Sequence, residues 1–429
     1  MLRKICPAIV VAAIVFIATS PAFAQAVSGN ISGTVQDASG AVLPNASITI
    51  TDLDRGEVFH THSNQDGNYE QTHLLAGRYQ VKVETPGLGA FTGNATVEVN
   101  ATTRLDAMLA PANVATTVNV TDATPLLTTD RAEIATTLTG AQVEQLPVLD
   151  RNVTNLLLVV PGTQLNSWQH AASENPQQGI QANVNGQFFT ANGFLLDGTE
   201  NESAILGIAV INPNIDALQE FKVSTSNYDA EFGSASGALI QATTKSGTNQ
   251  LHGDLFYNLR YPALNALDPL GKSRGIYTQT VHQQNQFGGS VSAPIIKDKL
   301  FFFGTYDGFR KVNPILYTST QPNSAITGFL CPTNVTATAC TNAKAFITNG
   351  LLGVFPRNLK QDVFLGKLDY QLTSNNHLSA VFNFQNWQEP YGYNTAPTVN
   401  NGGATQNGNG STHERFLIGN WTSNLSTNK

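Results

Sequence analysis

Charge is scarce in this 429-residue chain. Asp, Glu, Lys and Arg make up 12% of it, about half the share of a typical soluble domain. Basic residues are the rarer sign, 23 against 30 acidic. They form no long runs, which argues against a nucleic-acid partner, because phosphate recognition recruits basic patches. Only three cysteines occur, too few for a cysteine-rich metal centre. Beyond the opening residues no apolar run approaches the roughly 20 positions that a membrane helix needs. Asn, Thr, Gly and Ser fill the space that charge leaves, as in extended β-proteins with wet loops.

What is present begins with a leader. Arg3 and Lys4 precede the apolar stretch Ile9–Ala18, and Ala22-Phe23-Ala24 offers a small-residue cleavage site before Gln25. This is the pattern of a secretory signal over 1–24, and its apolar part is too short to span a bilayer comfortably. Arg3 and Lys4 leave with it, so 21 basic and 30 acidic residues remain, a net of −9. Cys6 leaves as well. Cys331 and Cys340 then lie close together in an oxidising compartment, where they are expected to close one disulfide.

From Leu251 onward, two-faced segments of about ten residues recur. They are 251–260, 283–293, 299–310, 362–372, 376–387 and 413–424. In the first, Leu251, Gly253, Leu255, Tyr257 and Leu259 share one face, while His252, Asp254, Asn258 and Arg260 share the other, interrupted by Phe256. Leu378, Ala380, Phe382 and Phe384 likewise oppose His377, Ser379, Asn383 and Gln385, and Phe364, Leu368, Tyr370 and Leu372 oppose Lys367, Asp369 and Gln371. Segments 299–310 and 413–424 are less cleanly two-faced. Connections alternate long, short, long, short, long, the asymmetry of outer-membrane barrels with tight periplasmic turns and long external loops. Six strands cannot close a barrel, whose smallest forms have about eight. The segment 250–429 therefore reads as the start of a transmembrane β-barrel, and this chain alone is expected to transport nothing.

Upstream, 27–110 reads as a compact β-sandwich, with alternating runs such as Ile31–Val35, Ala46–Thr51, Tyr79–Glu84 and Ala95–Val99 between turn clusters. Gly33-Thr34-Val35-Gln36-Asp37, Gly40-Ala41-Val42-Leu43-Pro44-Asn45-Ala46, Asp66-Gly67-Asn68-Tyr69 and Leu75-Ala76-Gly77-Arg78-Tyr79 resemble the carboxypeptidase regulatory-like domain. That resemblance implies a transthyretin-like, Ig-like sandwich, sometimes grouped with carbohydrate-binding folds and lacking a peptidase centre. Tyr69 and Tyr79 are expected in its core.

The block 131–249 mixes helical and strand patterns, with Leu138–Leu146 and Val153–Val159 readable as helices, the second stopped by Pro161-Gly162. Its motifs follow in a fixed order. Leu146-Pro147-Val148-Leu149-Asp150-Arg151-Asn152 comes first, then Asp197-Gly198, Glu220, Glu231 with Gly233, and Lys245-Ser246-Gly247. That set resembles the plug domain of TonB-dependent receptors, in the Oar-like branch that carries an N-terminal regulatory-like domain. The resemblance implies an α+β plug inside a barrel of about 22 strands, which is wide enough to leak unless filled.

It further implies an outer-membrane location with the sandwich in the periplasm, outer-membrane lipid around the barrel, and energised uptake or passage of a bulky solute. Work would be supplied by TonB with its inner-membrane energising complex. In the linker 111–130, the run Thr116, Thr117, Val118, Asn119, Val120 and Thr121 is the candidate segment for TonB to grip, since an extended strand can pair edgewise with a partner sheet. An ordinary linker strand is the other reading of that run. The rival for the whole chain is a secreted or surface-exposed carbohydrate-binding or adhesion protein.

No catalytic set emerges, and no cofactor or metal is expected. Gly271-Lys272-Ser273 lacks the first glycine of a phosphate loop, Ala266 standing there, and His413-Glu414 lacks the second histidine of a zinc protease, replaced by Leu417. Gly233–Gly237 has Ala235 where a nucleophile elbow needs serine. His60 and His62 share a strand face but find no third ligand. With no nucleophile, base and orienting group together, the reading is not an enzyme.

Overall fold

The structure, a computed structural model, describes residues 28–111, 132–166, 180–203, 207–228, 232–233, 235–264, 266, 283–312, 315–317, 330–347, 353–355, 358–373, 375–389 and 410–423. The leader and the candidate TonB segment 116–121 lie outside them, as do Glu231 and all but Gly410 of the Asn/Gly-rich stretch Val399–Gly410, which reads in the sequence as an external loop.

The first unit is a two-sheet sandwich. One sheet orders its strands Val58–His62, Ser47–Asp52, Gly77–Glu84 and Phe91–Val97, each antiparallel to the next. In the other sheet Ser28–Asp37 pairs antiparallel with Asn68–Leu75 and parallel with Thr102–Arg104 and Ala107–Leu109. Period-two alternation decides which side chains go in. Along Gly77–Glu84 every other residue is buried, placing Val83 opposite Ile48, Val81 opposite Ile50 and Tyr79 opposite the buried Asp52. Tyr69 and Tyr79 do lie in this core, and each hydroxyl donates to a backbone carbonyl, Leu105 O at 2.6 Å and Leu75 O at 2.8 Å. A buried tyrosine needs such a partner for its polar tip.

The second unit centres on a five-stranded mixed sheet. Its order is Thr199–Glu200, Gly193–Leu196, Leu239–Thr244, Leu218–Ser226 and Ile134–Thr139, with Gly193–Leu196 and Leu239–Thr244 running parallel. Leu156, Leu157, Leu196, Ile211, Phe221 and Val223 form its core. The helix read over Leu138–Leu146 begins later than the sequence implied. Ile134–Thr139 pairs with Leu218–Ser226 as a strand, and only Gly140–Gln145 is α-helical. Thr139 switches one into the other: its side chain and that of Gln142 cap the helix reciprocally. Val153–Val159 does coil, but as a 3-10 helix started by Asn152, whose side chain accepts from Thr154 N at 2.9 Å.

The third unit is a six-stranded antiparallel sheet in strict chain order: His252–Arg260, Gln283–Ile296, Leu300–Val312, Asn358–Thr373, Asn376–Glu389 and Gly410–Ser423. The sheet is open. Short turns join the second strand to the third and the fourth to the fifth, whereas the remaining connections are long. Most strands run longer than the sequence pattern marked, because polar alternation carries the pairing past the apolar band. One face is apolar and open: Leu255, Tyr257, Phe364, Leu368, Phe382, Leu417 and Trp421 are all exposed. The other is buried despite being largely polar, with Gln284, Gln286, Asp307, Lys311, Gln361, Lys367, Asp369, Asn383 and Gln385 turned toward the second unit. Toward one end the open face becomes charged, where Arg310 meets Asp362 at 2.6 Å and Tyr306 donates to the same carboxylate at 2.6 Å.

Between the third and fourth strands, the Ile315–Tyr317 and Gly353–Phe355 strands pair, and a helix over Ala337–Ala345 carries Cys340, disulfide-bonded to Cys331. Among the described residues no helix is long and apolar enough to cross a membrane.

Candidate functional site

The candidate site is the seam where the mixed unit sits against the buried face of the six-stranded sheet. Its focus is a pair of adjacent residues of opposite charge, Asp150 and Arg151, both in the left-handed region at φ +52°. Non-glycine residues adopt that conformation at a cost of roughly 1–2 kcal/mol each, so surrounding contacts must hold it. Asp150 accepts from Gln284 Nε2 at 2.8 Å and faces Lys311 Nζ at 3.8 Å, both on the wall. Arg151 turns back to its own unit, donating to Asp216 Oδ2 at 2.5 Å and Asn214 Oδ1 at 3.2 Å.

The Arg151 guanidinium also lies over the Phe256 ring, 4.1 Å from its centre. This explains why Phe256 interrupts the polar face of its strand: the aromatic ring is a cation–π platform for the seated unit. Burial raises the Asp216 carboxyl above the ordinary range, although Arg151 works against that shift.

Further contacts run along the seam. Asn214 Nδ2 donates to Thr305 Oγ1 at 3.0 Å, Lys367 Nζ to Thr244 O at 3.3 Å, and Gln385 Nε2 to Val210 O at 3.4 Å. Ala217, Phe303, Leu365, Val381 and Ile418 supply a small apolar patch. Buried amide atoms of Asn212, Gln361 and Asn383 have no protein partner among the described residues. A buried unsatisfied polar group costs about 1–3 kcal/mol, so the seam grips far less firmly than an apolar core of equal area.

The motif residues have separate places. Asp197-Gly198 forms the turn between Gly193–Leu196 and Thr199–Glu200, both with positive φ, a two-residue hairpin geometry. Asp197 is buried and accepts from Thr244 N at 2.9 Å and Thr244 Oγ1 at 2.8 Å, with Lys367 of the wall 3.9 Å away. Lys245 pairs with Glu144 at 2.6 Å at a half-exposed site. Gly247 touches the wall itself: an added Cβ would stand 2.6 Å from Phe301 Cβ and 2.7 Å from Phe302 N. Glu220 is buried and accepts from Val99 N of the sandwich at 3.0 Å. Gly233 lies in an exposed turn.

Asp197, Lys245 and Gly247 thus gather where the chain leaves the mixed sheet for the wall, while Glu220 faces the sandwich. Sequence reading placed Asp150 and Arg151 in the Leu146–Asn152 motif but assigned no contact to them, nor to Asn214, Asp216 or Asn249. A usable signal was the lone aromatic in the polar face of 251–260. His60 and His62 are exposed, and no three-residue metal-binding group occurs among the described residues.

Comparison with known proteins gives this arrangement its class. Residues 30–110 match the carboxypeptidase regulatory-like domain family, and residues 243–349 match an outer membrane beta barrel domain family. The chain therefore carries a regulatory-like sandwich and strands of an outer-membrane β-barrel domain, with the mixed unit between them.

It is related in sequence to the TonB-dependent transporter Oar of Myxococcus xanthus, 28% identical over 302 residues. That match covers 67% of this chain and 27% of the relative, so the chain spans about a quarter of the relative's length. Two solved structures are also similar. The outer membrane transporter YddB from Escherichia coli has a TM-score of 0.46 and 14% identity, over 68% of this chain and 37% of that one. The siderophore receptor PirA from Acinetobacter baumannii has a TM-score of 0.43 and 16% identity, over 66% and 37%.

Proposed function

We propose that this chain supplies the sandwich, the plug and the opening wall of an outer-membrane transporter in which TonB drives passage of a bulky solute past the plug. The observation that carries this reading is the inverted sheet. Six antiparallel strands expose their apolar face and bury a polar one against a separately folded unit. Lipid on one side and a plugged lumen on the other account for both faces at once. The polar, partly unmatched seam supports gating, because such contacts can be exchanged for water during motion at lower cost than a sealed apolar core.

In this reading the short turns and the sandwich face the periplasm. The long connections, including the Cys331–Cys340 helix, face outward. Domain limits follow the sequence: leader 1–24, sandwich 27–110, linker 111–130, plug 131–249 and wall from 250. Thr116–Thr121 is the segment that TonB would pull, by edge pairing. Catalysis has no part in this function.

The test uses the full-length gene product. It should fractionate with outer membranes and migrate differently on gels before and after heating. Deleting Thr116–Thr121 should abolish binding to the periplasmic domain of TonB. A soluble, heat-insensitive product that binds polysaccharide would instead favour a secreted adhesion protein. Against that rival, the aromatic side chains of the described sandwich, Phe59, Tyr69, Tyr79 and Phe91, are all buried in its core, leaving none there to stack on a sugar ring.

A further inference from the structure

We propose that the regulatory-like sandwich is a lid, docked across the plug and the first short turn of the barrel wall by a polar clasp centred on Asn249. The proposal rests on the transporter reading above and goes beyond it by giving the sandwich a mechanical role.

Asn249 sits where the plug hands over to the wall and touches all three units. Its side-chain nitrogen donates to Arg55 O of the sandwich at 2.6 Å and to Asp298 Oδ1 of the turn between the second and third wall strands at 2.7 Å. Its side-chain oxygen accepts from Asp298 N at 2.9 Å, and its backbone N–H donates to Asp54 O at 3.1 Å. Both amide donors are thereby spent on holding units together.

The docking turn is shaped for this approach. Gly56 has φ +76°, and a Cβ there would stand 2.7 Å from Asp298 Oδ1 and 3.2 Å from Asn249 Nδ2, so only glycine satisfies both the backbone and the contact. Asp52 builds the turn from inside, accepting from Asp54 N at 2.8 Å and Arg55 N at 2.9 Å and pairing with the buried Arg55 side chain at 2.8 Å.

A second foothold lies elsewhere on the sandwich. Val99 N donates to Glu220 Oε2 of the plug at 3.0 Å, and Lys222 Nζ donates to Asn100 O at 3.3 Å. Two separate turns of one rigid sandwich therefore engage the plug. The three units also line a small, partly open cavity of about 60 Å³, bounded by Arg55 and Glu57 of the sandwich, Thr244 of the plug, and Lys367, Asp369 and His377 of the wall. The sandwich thus covers the inward-facing polar groups at the short-turn end of the fourth and fifth wall strands. A solute leaving along that part of the wall meets the sandwich, which must first let go.

The test is hydrogen exchange on the full-length product in outer membranes, combined with entry of a large antibiotic that the intact membrane excludes. Asn249→Asp replaces the amide donors with carboxylate oxygens facing the Arg55 carbonyl and the Asp298 carboxylate. Gly56→Val reaches the same contact by steric conflict without touching the plug. Both variants should speed exchange by about tenfold or more at 53–57 and 97–100, leave the heat-dependent gel shift intact, and, combined with Arg151→Ala to loosen the plug's own seat, raise antibiotic entry several-fold over Arg151→Ala alone.

Unchanged exchange in both variants would overturn the docking. Faster exchange without increased entry in the Arg151→Ala background would overturn the lid while leaving the docked interface real. A wild-type product without the gel shift would overturn the transporter reading itself, and the lid with it.

Discussion

The sandwich and the barrel wall are written in the same period-two alphabet and fold it in opposite senses. In Gly77–Glu84, apolar Tyr79, Val81 and Val83 go inside while Arg78, Gln80, Lys82 and Glu84 meet water. In Asn358–Thr373, Gln361, Lys367 and Asp369 go inside while Phe364 and Leu368 stand exposed. Alternation fixes which residues share a face. The solvent on each side decides which face is buried, and only the wall's arrangement is consistent with hydrocarbon outside.

This contrast can be broken by substitution. Ile48→Ala, at the centre of the sandwich core, should cost about 2–5 kcal/mol, read as a lowered urea midpoint for the sandwich. Phe382→Arg on the open face of the wall should cost about 2–4 kcal/mol on folding into bilayers. Lys82→Leu, at an equally open position on the sandwich, should stay within about 0.5 kcal/mol. If the arginine were as harmless as the leucine, the outer face would not be in lipid.

A smaller effect sharpens the comparison at the seam. Arg151→Ala strands Asp216 and removes the cation from Phe256. It should loosen the plug by about 1–3 kcal/mol, seen as faster labelling of cysteines placed along the plug, with the wall's gel shift unchanged.

The smallest effect concerns pH. Burial pushes the Glu220 carboxyl up from 4.5 to about 7 in the docked form, with Glu98 adding to the shift while the Val99 N–H and Lys222, itself paired with Glu133, oppose it. A raised carboxyl contributes its stabilisation below its free value and loses it as pH rises through the docked value. Docking at Val99 should therefore weaken between about pH 4.5 and pH 7, measured as exchange at 97–100 corrected for intrinsic rate. Glu220→Gln should flatten that dependence.

Much of the wall was legible in the sequence because its signal is local. Faces assigned to 251–260, 362–372 and 376–387 agree with the observed register. Leu300–Val312 looked poorly two-faced for a physical reason: Phe301 and Phe303 face inward against the plug, so both faces of the strand are partly apolar. The start of the plug helix was misplaced because Leu138 suits either state and the Leu218–Ser226 edge captures it as strand. Arg151 and Asn249 were illegible in role. Their partners, Phe256 and Asp216 for one and Arg55 and Asp298 for the other, are distant in sequence. A polar residue's function in a seam is set by what folding brings opposite it.

The Arg310–Asp362 pair on the outward face has a consequence for height. Asn358–Thr373 is 16 residues long, roughly 50 Å at the usual strand rise, whereas the apolar band of an outer-membrane barrel is about 25 Å tall. Even with the tilt such strands adopt, this one overshoots the hydrocarbon. Arg310, Asp362 and Tyr306 mark its waterline, with Phe364 and Leu368 below it. Above that line the outward face turns polar, with Asn358 and Lys360 exposed, a collar that would stand clear of the lipid.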